Sequence, residues 1–259
     1  MNTPFNLFKS LHSQPEPLLI GNVWNVQSAR VFEKLKFKAI ATSSAAVAET
    51  LGYTDGEQMS FDEYLFIIKR IKASCSLPLS VDLEAGYGKS AEEIAGRLRH
   101  LYALGIVGVN IEDSVVENGN RSSVDAHAFA EKLSTLVKIC KADRIELFIN
   151  VRCDAFLLGL ENARTAAIHR IKRYDQTGID GLFLPCITDE EDITAIVSAT
   201  PLPVNVMCMP QLAGFHQLKT LGVKRISMGN FMNSVLYAKM EALSRKVVSE
   251  QHFSALLNS

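Results

Sequence analysis

Two carboxylates stand two residues apart where an apolar run stops: Asp82 and Glu84, within P-L-S-V-D-L-E-A-G-Y-G at Pro78–Gly88. Residues i and i+2 of a strand share a face, so the spacing predicts that both acids point the same way. Like charges at the end of a buried strand are costly unless something positive lies between them, and a divalent cation is the simplest such partner. A solvated strand end bearing two surface acids is the alternative this stretch alone leaves open. Gly86 and Gly88 permit a sharp turn, and Ser90 with Glu93 has the spacing of a capping box that opens the next helix.

The elements that would position these acids alternate along the chain. After an amphipathic helix over Phe5–His12, the apolar pattern predicts strands at Leu18–Val23, Lys38–Ser43, Leu77–Leu83, Gly105–Ile111, Glu146–Val151, Gly181–Pro185, Pro203–Met207 and Arg225–Met228. Helices are predicted between them at Gln27–Lys36, from Ser60 to Lys72, and at Ala91–Leu104, Asp125–Lys141, Ala163–Thr177, Asp192–Ala199 and Gln211–Leu221. The long Asn230–Lys246 and a tail near Ser249–Leu257 end the series. Ser60 with Glu63 and Thr188 with Glu191 repeat the capping-box spacing. A loop of small residues is expected after Ser43, and a polar loop over Ser114–Ser123. The strands read as continuous apolar runs, which implies burial on both faces and a parallel sheet. Eight strand–helix units in 259 residues indicate a single closed TIM-type (β/α)8 barrel spanning 1–259, with a C-terminal helical extension over about 230–259. An open doubly wound sheet is the runner-up, but no G-x-G-x-x-G follows the first strand.

Composition removes several function classes. A net charge of −1 without a block of like charges offers nothing to nucleic acid or an anionic membrane. The opening residues lack a signal-peptide core, and no apolar run approaches a membrane span. Five scattered cysteines without a C-x-x-C pair argue against a disulfide framework and a zinc cluster, so a cytoplasmic protein in a reducing compartment is expected.

Barrel active sites lie at the C-terminal ends of the strands. Those ends here carry Asn22 and Trp24, Ser43 and Ser44, Asp82 and Glu84, Glu112, Arg152 and Asp154, and Asn205, with Asp55 in the turn cluster G-Y-T-D-G. Several acids with one arginine fit an oxygen-ligated hard cation, Mg²⁺ or Mn²⁺, beside a guanidinium able to grip a small oxyacid. Such a cation could chelate a 2-oxo acid and stabilise the enolate formed when a neighbouring bond breaks. No lysine sits at a strand end for a Schiff base, and no G-x-S-x-G elbow is present. Arg152 and Asp154 could also be a rim ion pair, and Ser43 with Ser44 a simple turn. Trp24 reads as a pocket wall, the six histidines as surface or satisfied residues, and Cys153 and Cys208 as packing residues.

With these residues placed, the chain resembles the isocitrate lyase/phosphoenolpyruvate mutase superfamily over nearly its whole length. The marks are G-N-V-W-N at Gly21–Asn25, T-S-S at Thr42–Ser44, L-G-Y-T-D-G at Leu51–Gly56, V-D-L-E-A-G-Y-G at Val81–Gly88, V-N-I-E-D at Val109–Asp113 and N-V-R-C-D at Asn150–Asp154. P-V-N-V at Pro203–Val206 and L-G-V-K-R-I-S at Leu221–Ser227 extend the match. The resemblance implies that Asp82 binds Mg²⁺ directly, while Glu84, Glu112 and Asp55 hold the metal's waters. It implies a carboxylate cradle at Ser43 and Ser44, a wall at Trp24, substrate contact by Arg152 and a pocket position for Asn205. It further implies bond breaking beside a 2-oxo acid through a pyruvate enolate, and a homo-oligomer, dimer or tetramer, whose last helices exchange between subunits.

One stretch departs from the pattern. Isocitrate and methylisocitrate lyases carry K-[KR]-C-G-H after the fourth strand, where this chain has S-V-V-E-N-G-N-R-S at Ser114–Ser122, without Cys or His. Asn118, Asn120 and Arg121 are polar, with no role assigned to any of them. Decarboxylation needs no acid at the leaving group, so a lyase acting on oxaloacetate or a related dicarboxylate is the leading expectation. Phosphonopyruvate hydrolase or mutase chemistry comes second, and a metal- and 2-oxo-acid-binding paralogue without catalysis third.

Overall fold

A computed structural model describes residues 3–257. The first predicted strand is two: β1 (Leu18–Leu19) and β2 (Gly21–Val23) flank Ile20. After α1 (Pro4–Leu11), β1 and β2, the chain runs through α2 (Val26–Lys34), β3 (Ile40–Thr42), α3 (Ser44–Thr50), α4 (Phe61–Lys72), β4 (Leu79–Asp82) and α5 (Ala91–Ala103). It continues through β5 (Gly108–Glu112), β6 (Ser114–Glu117), β7 (Asn120–Ser123), α6 (Ala126–Ala142), β8 (Phe148–Arg152) and α7 (Ala163–Tyr174). The last elements are β9 (Gly181–Leu184), α8 (Glu190–Ser198), β10 (Val204–Met207), α9 (Phe215–Thr220), β11 (Arg225–Ser227), α10 (Phe231–Glu250) and α11 (Ser254–Leu257).

The parallel sheet runs β1-β11-β10-β9-β8-β5-β4-β3-β2. Its two ends are consecutive pieces of one chain segment. β1 pairs with β11, β2 pairs with β3, and the Ile20 amide between them donates to Ile226 O at 2.9 Å. The sheet therefore closes on itself as the expected TIM-type barrel, with helices outside.

Alternation along the strands divides the side chains. Val81, Val109, Ile111, Ile149, Val151, Leu182 and Val206 belong to the main apolar cluster. The intervening Asn110, Asn150 and Asn205 instead bond one another across the barrel, Asn150 Nδ2 lying 2.9 Å from Asn110 Oδ1 and 3.4 Å from Asn205 Oδ1. At the N-terminal end of the barrel, α1 inserts Phe8 edge-on to Phe148, and His12 stacks on the same ring.

Several expectations change. The small residues after Ser43 form α3, because alanine favours helix and the Ser43 hydroxyl caps the Ala46 amide at 3.3 Å. The polar Ser114–Ser123 stretch is an antiparallel hairpin, β6–β7, whose turn residues Asn118 and Gly119 take φ of 52° and 78°. The cap of α8 is Asp189, accepting from the Asp192 amide, rather than Thr188. Cys153 is buried as expected of a packing residue, whereas Cys208 is exposed. The last two residues of the expected 230–259 extension lie outside the described residues. Among the described residues no helix is long and apolar enough to cross a membrane.

Candidate active site

β4 ends at Asp82, whose carboxylate sits among neutral donors. Ser44 Oγ donates to Oδ2 at 2.8 Å and Asn110 Nδ2 to Oδ1 at 3.2 Å. The Thr42 hydroxyl and the Tyr64 hydroxyl hold the Asp82 backbone from either side. Glu84 does not follow it along a strand. The residue lies in a turn at φ 51°, so the i, i+2 argument for a shared face does not apply to it. Its buried carboxylate accepts the Gly56 amide at 2.9 Å, the Glu57 amide at 2.6 Å and the Tyr87 hydroxyl at 3.2 Å, which anchors the loop carrying Asp55. Burial, with repulsion from Asp55, Asp82 and Glu112, pushes its carboxyl up to about 8.

The other acids are matched with guanidiniums. Arg152, at the end of β8, forks onto Asp154 through Nε at 2.6 Å and Nη2 at 3.2 Å, while its Nη1 lies 2.9 Å from Glu112 Oε2. Both the expected rim pair with Asp154 and a contact to Glu112 are therefore present. A second guanidinium, Arg121, reaches in from β7. It contacts Glu112 Oε1, Ser114 Oγ at 2.9 Å and Asp154 at 3.4 Å through Nη1, and Asp55 at 2.8 Å through Nη2. Burial raises the Glu112 carboxyl, and Arg152 and Arg121 oppose that rise. One layer out, Asp113 accepts from Arg170, Tyr174 and the Asp154 amide, which fixes the backbone beneath Arg152 and Asp154.

The structure thus joins Glu112, Arg152 and Asp154 directly, Asp55 to them through Arg121, and Ser44 with Asp82. Ser43 spends its hydroxyl on the α3 cap. Trp24 is buried beyond β2, its Nε1 closed off from solvent and without an acceptor among the described residues. Asn205 lies inside the barrel, donating to Ser227 Oγ at 3.1 Å, and is linked to Asp82 only through Asn150 and Asn110. Sequence reasoning gave Arg121 no role. The available signal was Asn118-Gly119, a strong two-residue hairpin turn that returns Arg121 over the strand ends. A cleft of 910 Å³ reaches this ring beneath the hairpin, lined by Glu84, Glu112, Val115, Val116 and Glu117.

No group of three His, Cys, Asp or Glu side chains converges as a ready cage among the described residues. The donor set still fits a hard divalent ion. Among the described residues Asp82 forms no ion pair, and it lies close enough to Asp55, Glu84 and Glu112 to repel them, a crowding of oxygen acids that a hard divalent cation would relieve.

A sequence model of the phosphoenolpyruvate phosphomutase family matches residues 8–248. The uncharacterized protein Rv1998c of Mycobacterium tuberculosis is 32% identical over 91% of this chain and 86% of its own. The 2-methylisocitrate lyase of Escherichia coli is 29% identical over 79% of this chain and 69% of its own. A crystal structure from Burkholderia cenocepacia J2315, provisionally named a phosphonomutase, superposes with TM-score 0.87 at 33% identity, covering 94% of this chain and 100% of that one. Barrel, motifs and relatives agree, and the chain belongs to the phosphoenolpyruvate phosphomutase family of the isocitrate lyase/phosphoenolpyruvate mutase superfamily.

Proposed function

We propose that the chain is a Mg²⁺-dependent carbon–carbon lyase acting on a small 2-oxo acid, with oxaloacetate decarboxylation as the reaction that best suits its site. The observation that carries this reading is Asp82, a strand-end carboxylate held by neutral donors and without a cationic partner among the described residues. A relative named oxaloacetate decarboxylase, from Bradyrhizobium sp. BTAi1, is 29% identical over 71% of this chain and 64% of its own, which supports the choice.

Asp82 would hold the cation directly, with Glu84, Glu112 and Asp55 fixing its waters. When bound, the cation supplies charge stabilisation to a 2-oxo acid oxygen that becomes negative as the neighbouring bond breaks. The residues of the chain do the rest. Ser44 orients Asp82, and Trp24 closes the wall. Asp154 locks the plane of Arg152, so that its remaining N–H groups face developing negative charge without reorganising. In decarboxylation the C3–C4 electron pair moves into the enolate and CO₂ departs without a proton, so the absence of Cys and His from the hairpin is no obstacle. Turnover of oxaloacetate should require Mg²⁺ or Mn²⁺ and vanish in Asp82→Ala. Equal rates in wild type and variant would contradict the reading.

P–C bond chemistry on phosphonopyruvate is the second reading, favoured by the 33% identical structure named as a phosphonomutase. Phosphate release from phosphonopyruvate separates it from the first. Oxalate binding without turnover of either acid would leave a binding protein.

We further propose a homo-oligomer of single-domain barrels. α10 buries only Asn233 of its own residues and exposes Val235, Leu236 and Met240. Beside it, an apolar groove of 560 Å³ runs along Met209, Leu212, Phe215 and Met228, able to take the same helix of a neighbour. Sedimentation should give a mass of at least two chains, and Leu236→Glu should lower it.

A further inference from the structure

Arg121 belongs to neither the strand ends nor the motifs that place the chain in its family. It stands on β7 opposite Val116, and the packing of that hairpin partner decides where the guanidinium goes. Val116 lies against Gly56, so closely that a Cβ there would stand 2.5 Å from the Val116 Cβ. The hairpin is therefore seated on the loop carrying Asp55. Arg121 enters the mouth as a bridge from Asp55, at 2.8 Å, to Glu112 and Ser114.

Arg152 cannot do the work of both guanidiniums. Its Nε and Nη2 form a fork on Asp154, and its Nη1 is drawn to Glu112, so the pair of donors best suited to a carboxylate is already engaged. Charge makes the second guanidinium necessary. Asp55, Asp82, Glu84, Glu112 and Asp154 crowd one mouth against two guanidiniums. A monoanionic ligand would find one Arg edge and a cation sufficient. A ligand with a second carboxylate needs another positive group. Arg121 is engaged as well, but its outer anchor, Asp55, is 39% exposed whereas the anchors of Arg152 are buried, so a ligand carboxylate can exchange with Asp55 there.

We propose that Arg121 is the specificity-determining residue of this site: it receives the distal carboxylate of a 2-oxo dicarboxylate, so the chain selects dianionic over monoanionic 2-oxo acids. This rests on the 2-oxo acid reading above. Lys89 and Lys132 also line the cleft under the hairpin, but among the described residues neither forms an ion pair with the acids of the mouth, whereas Arg121 does.

The test is calorimetric titration in Mg²⁺ of wild type, Arg121→Gln and Arg121→Lys with two probes. Oxalate, though a dianion, would spend both carboxylates on the cation and has no distal group, whereas 3,3-difluorooxaloacetate carries one. Arg121→Gln should weaken difluorooxaloacetate by about 10- to 100-fold, the loss expected of a charge-assisted contact, and oxalate by less than about threefold. Arg121→Lys should restore part of the loss, since it keeps the charge without the fork. Amide exchange over residues 114–123 should stay unchanged in the variants. Equal weakening of both probes, with faster exchange in the hairpin, would reduce Arg121 to a brace and overturn the proposal. No change with either probe would overturn it as well. Failure of wild type to bind oxalate at all would instead remove the 2-oxo acid reading, and the proposal with it.

Discussion

The two halves of the barrel mouth are built on opposite rules. On one side, Glu112, Asp154 and Asp55 each meet a guanidinium, and Asp113 beneath them meets a third, Arg170. On the other, Asp82 and Glu84 are satisfied by hydroxyls, an amide and backbone N–H groups, with no positive side chain among the described residues within ion-pair distance. The matched half sets three guanidiniums against four carboxylates, so its geometry is fixed by ion pairs before any ligand arrives. The unmatched half has no such counter-charge, and burial, with repulsion from Asp55, Asp82 and Glu112, pushes the Glu84 carboxyl up to about 8. One half is suited to orient an anion and the other to bind a cation, and a chelating 2-oxo acid needs both.

The largest effect should come from breaking the matched half. Glu112→Gln would leave Arg121 and Arg152 short of a buried counter-charge and should cost about 3–5 kcal/mol in urea unfolding, as for other buried pairs that lose one partner. If Asp82→Asn cost as much, the two halves would not differ in kind. Asp82→Asn should instead leave stability within about 0.5 kcal/mol, since it removes repulsion, keeps one oxygen for the Asn110 amide and turns the other position into a donor that the Ser44 hydroxyl can accept. Its effect should appear as a loss of at least about 100-fold in Mg²⁺-dependent oxalate affinity, roughly the 3 kcal/mol of a lost charged ligand.

Two smaller effects sharpen the contrast. Gly56→Ala would force a Cβ onto Val116 at a backbone φ of +107° and should cost about 1–3 kcal/mol, measured by thermal unfolding. It should also weaken difluorooxaloacetate more than oxalate, because it unseats the hairpin. At the far end of the barrel the unmatched charge is positive. Arg225 is buried with Nε and Nη1 unpartnered, and its neighbour His12 is held neutral, down to about 3, by burial first and by Arg225 second. An unfolded chain protonates that histidine near 6.5, so stability should fall as pH drops from about 6.5 toward 3. The slope limit is about 1.4 kcal/mol per unit from this group, and His12→Gln should flatten it.

Much of this was legible in the residues. Continuous apolar strands alternating with capped helices specify a parallel barrel, because only burial on both faces makes such strands. The barrel rule then carries Asp82, Glu112 and Arg152 to one mouth. What escaped depended on conformations that short-range spacing does not fix. Glu84 leaves the strand through a left-handed residue, so a period-two argument could not follow it. Leu18–Val23 reads as one strand although Ile20 divides it between two partners, a division that only closure of the ring requires. Ser44–Thr50 looked like a loop because it is small, yet alanine after a capping serine is helical. Arg121 was hidden by reading Ser114–Ser123 as coil; Asn-Gly between two short extended runs was the available signal for a hairpin.

The measurement that bears most directly on this account is calorimetric titration of the wild-type protein with oxalate, a mimic of the pyruvate enolate, first in Mg²⁺ and then after chelation. If the unmatched half exists to hold a cation that meets a 2-oxo acid, oxalate binds in Mg²⁺ and releases when the ion is removed. Binding of equal strength in both conditions, or none in either, would contradict it.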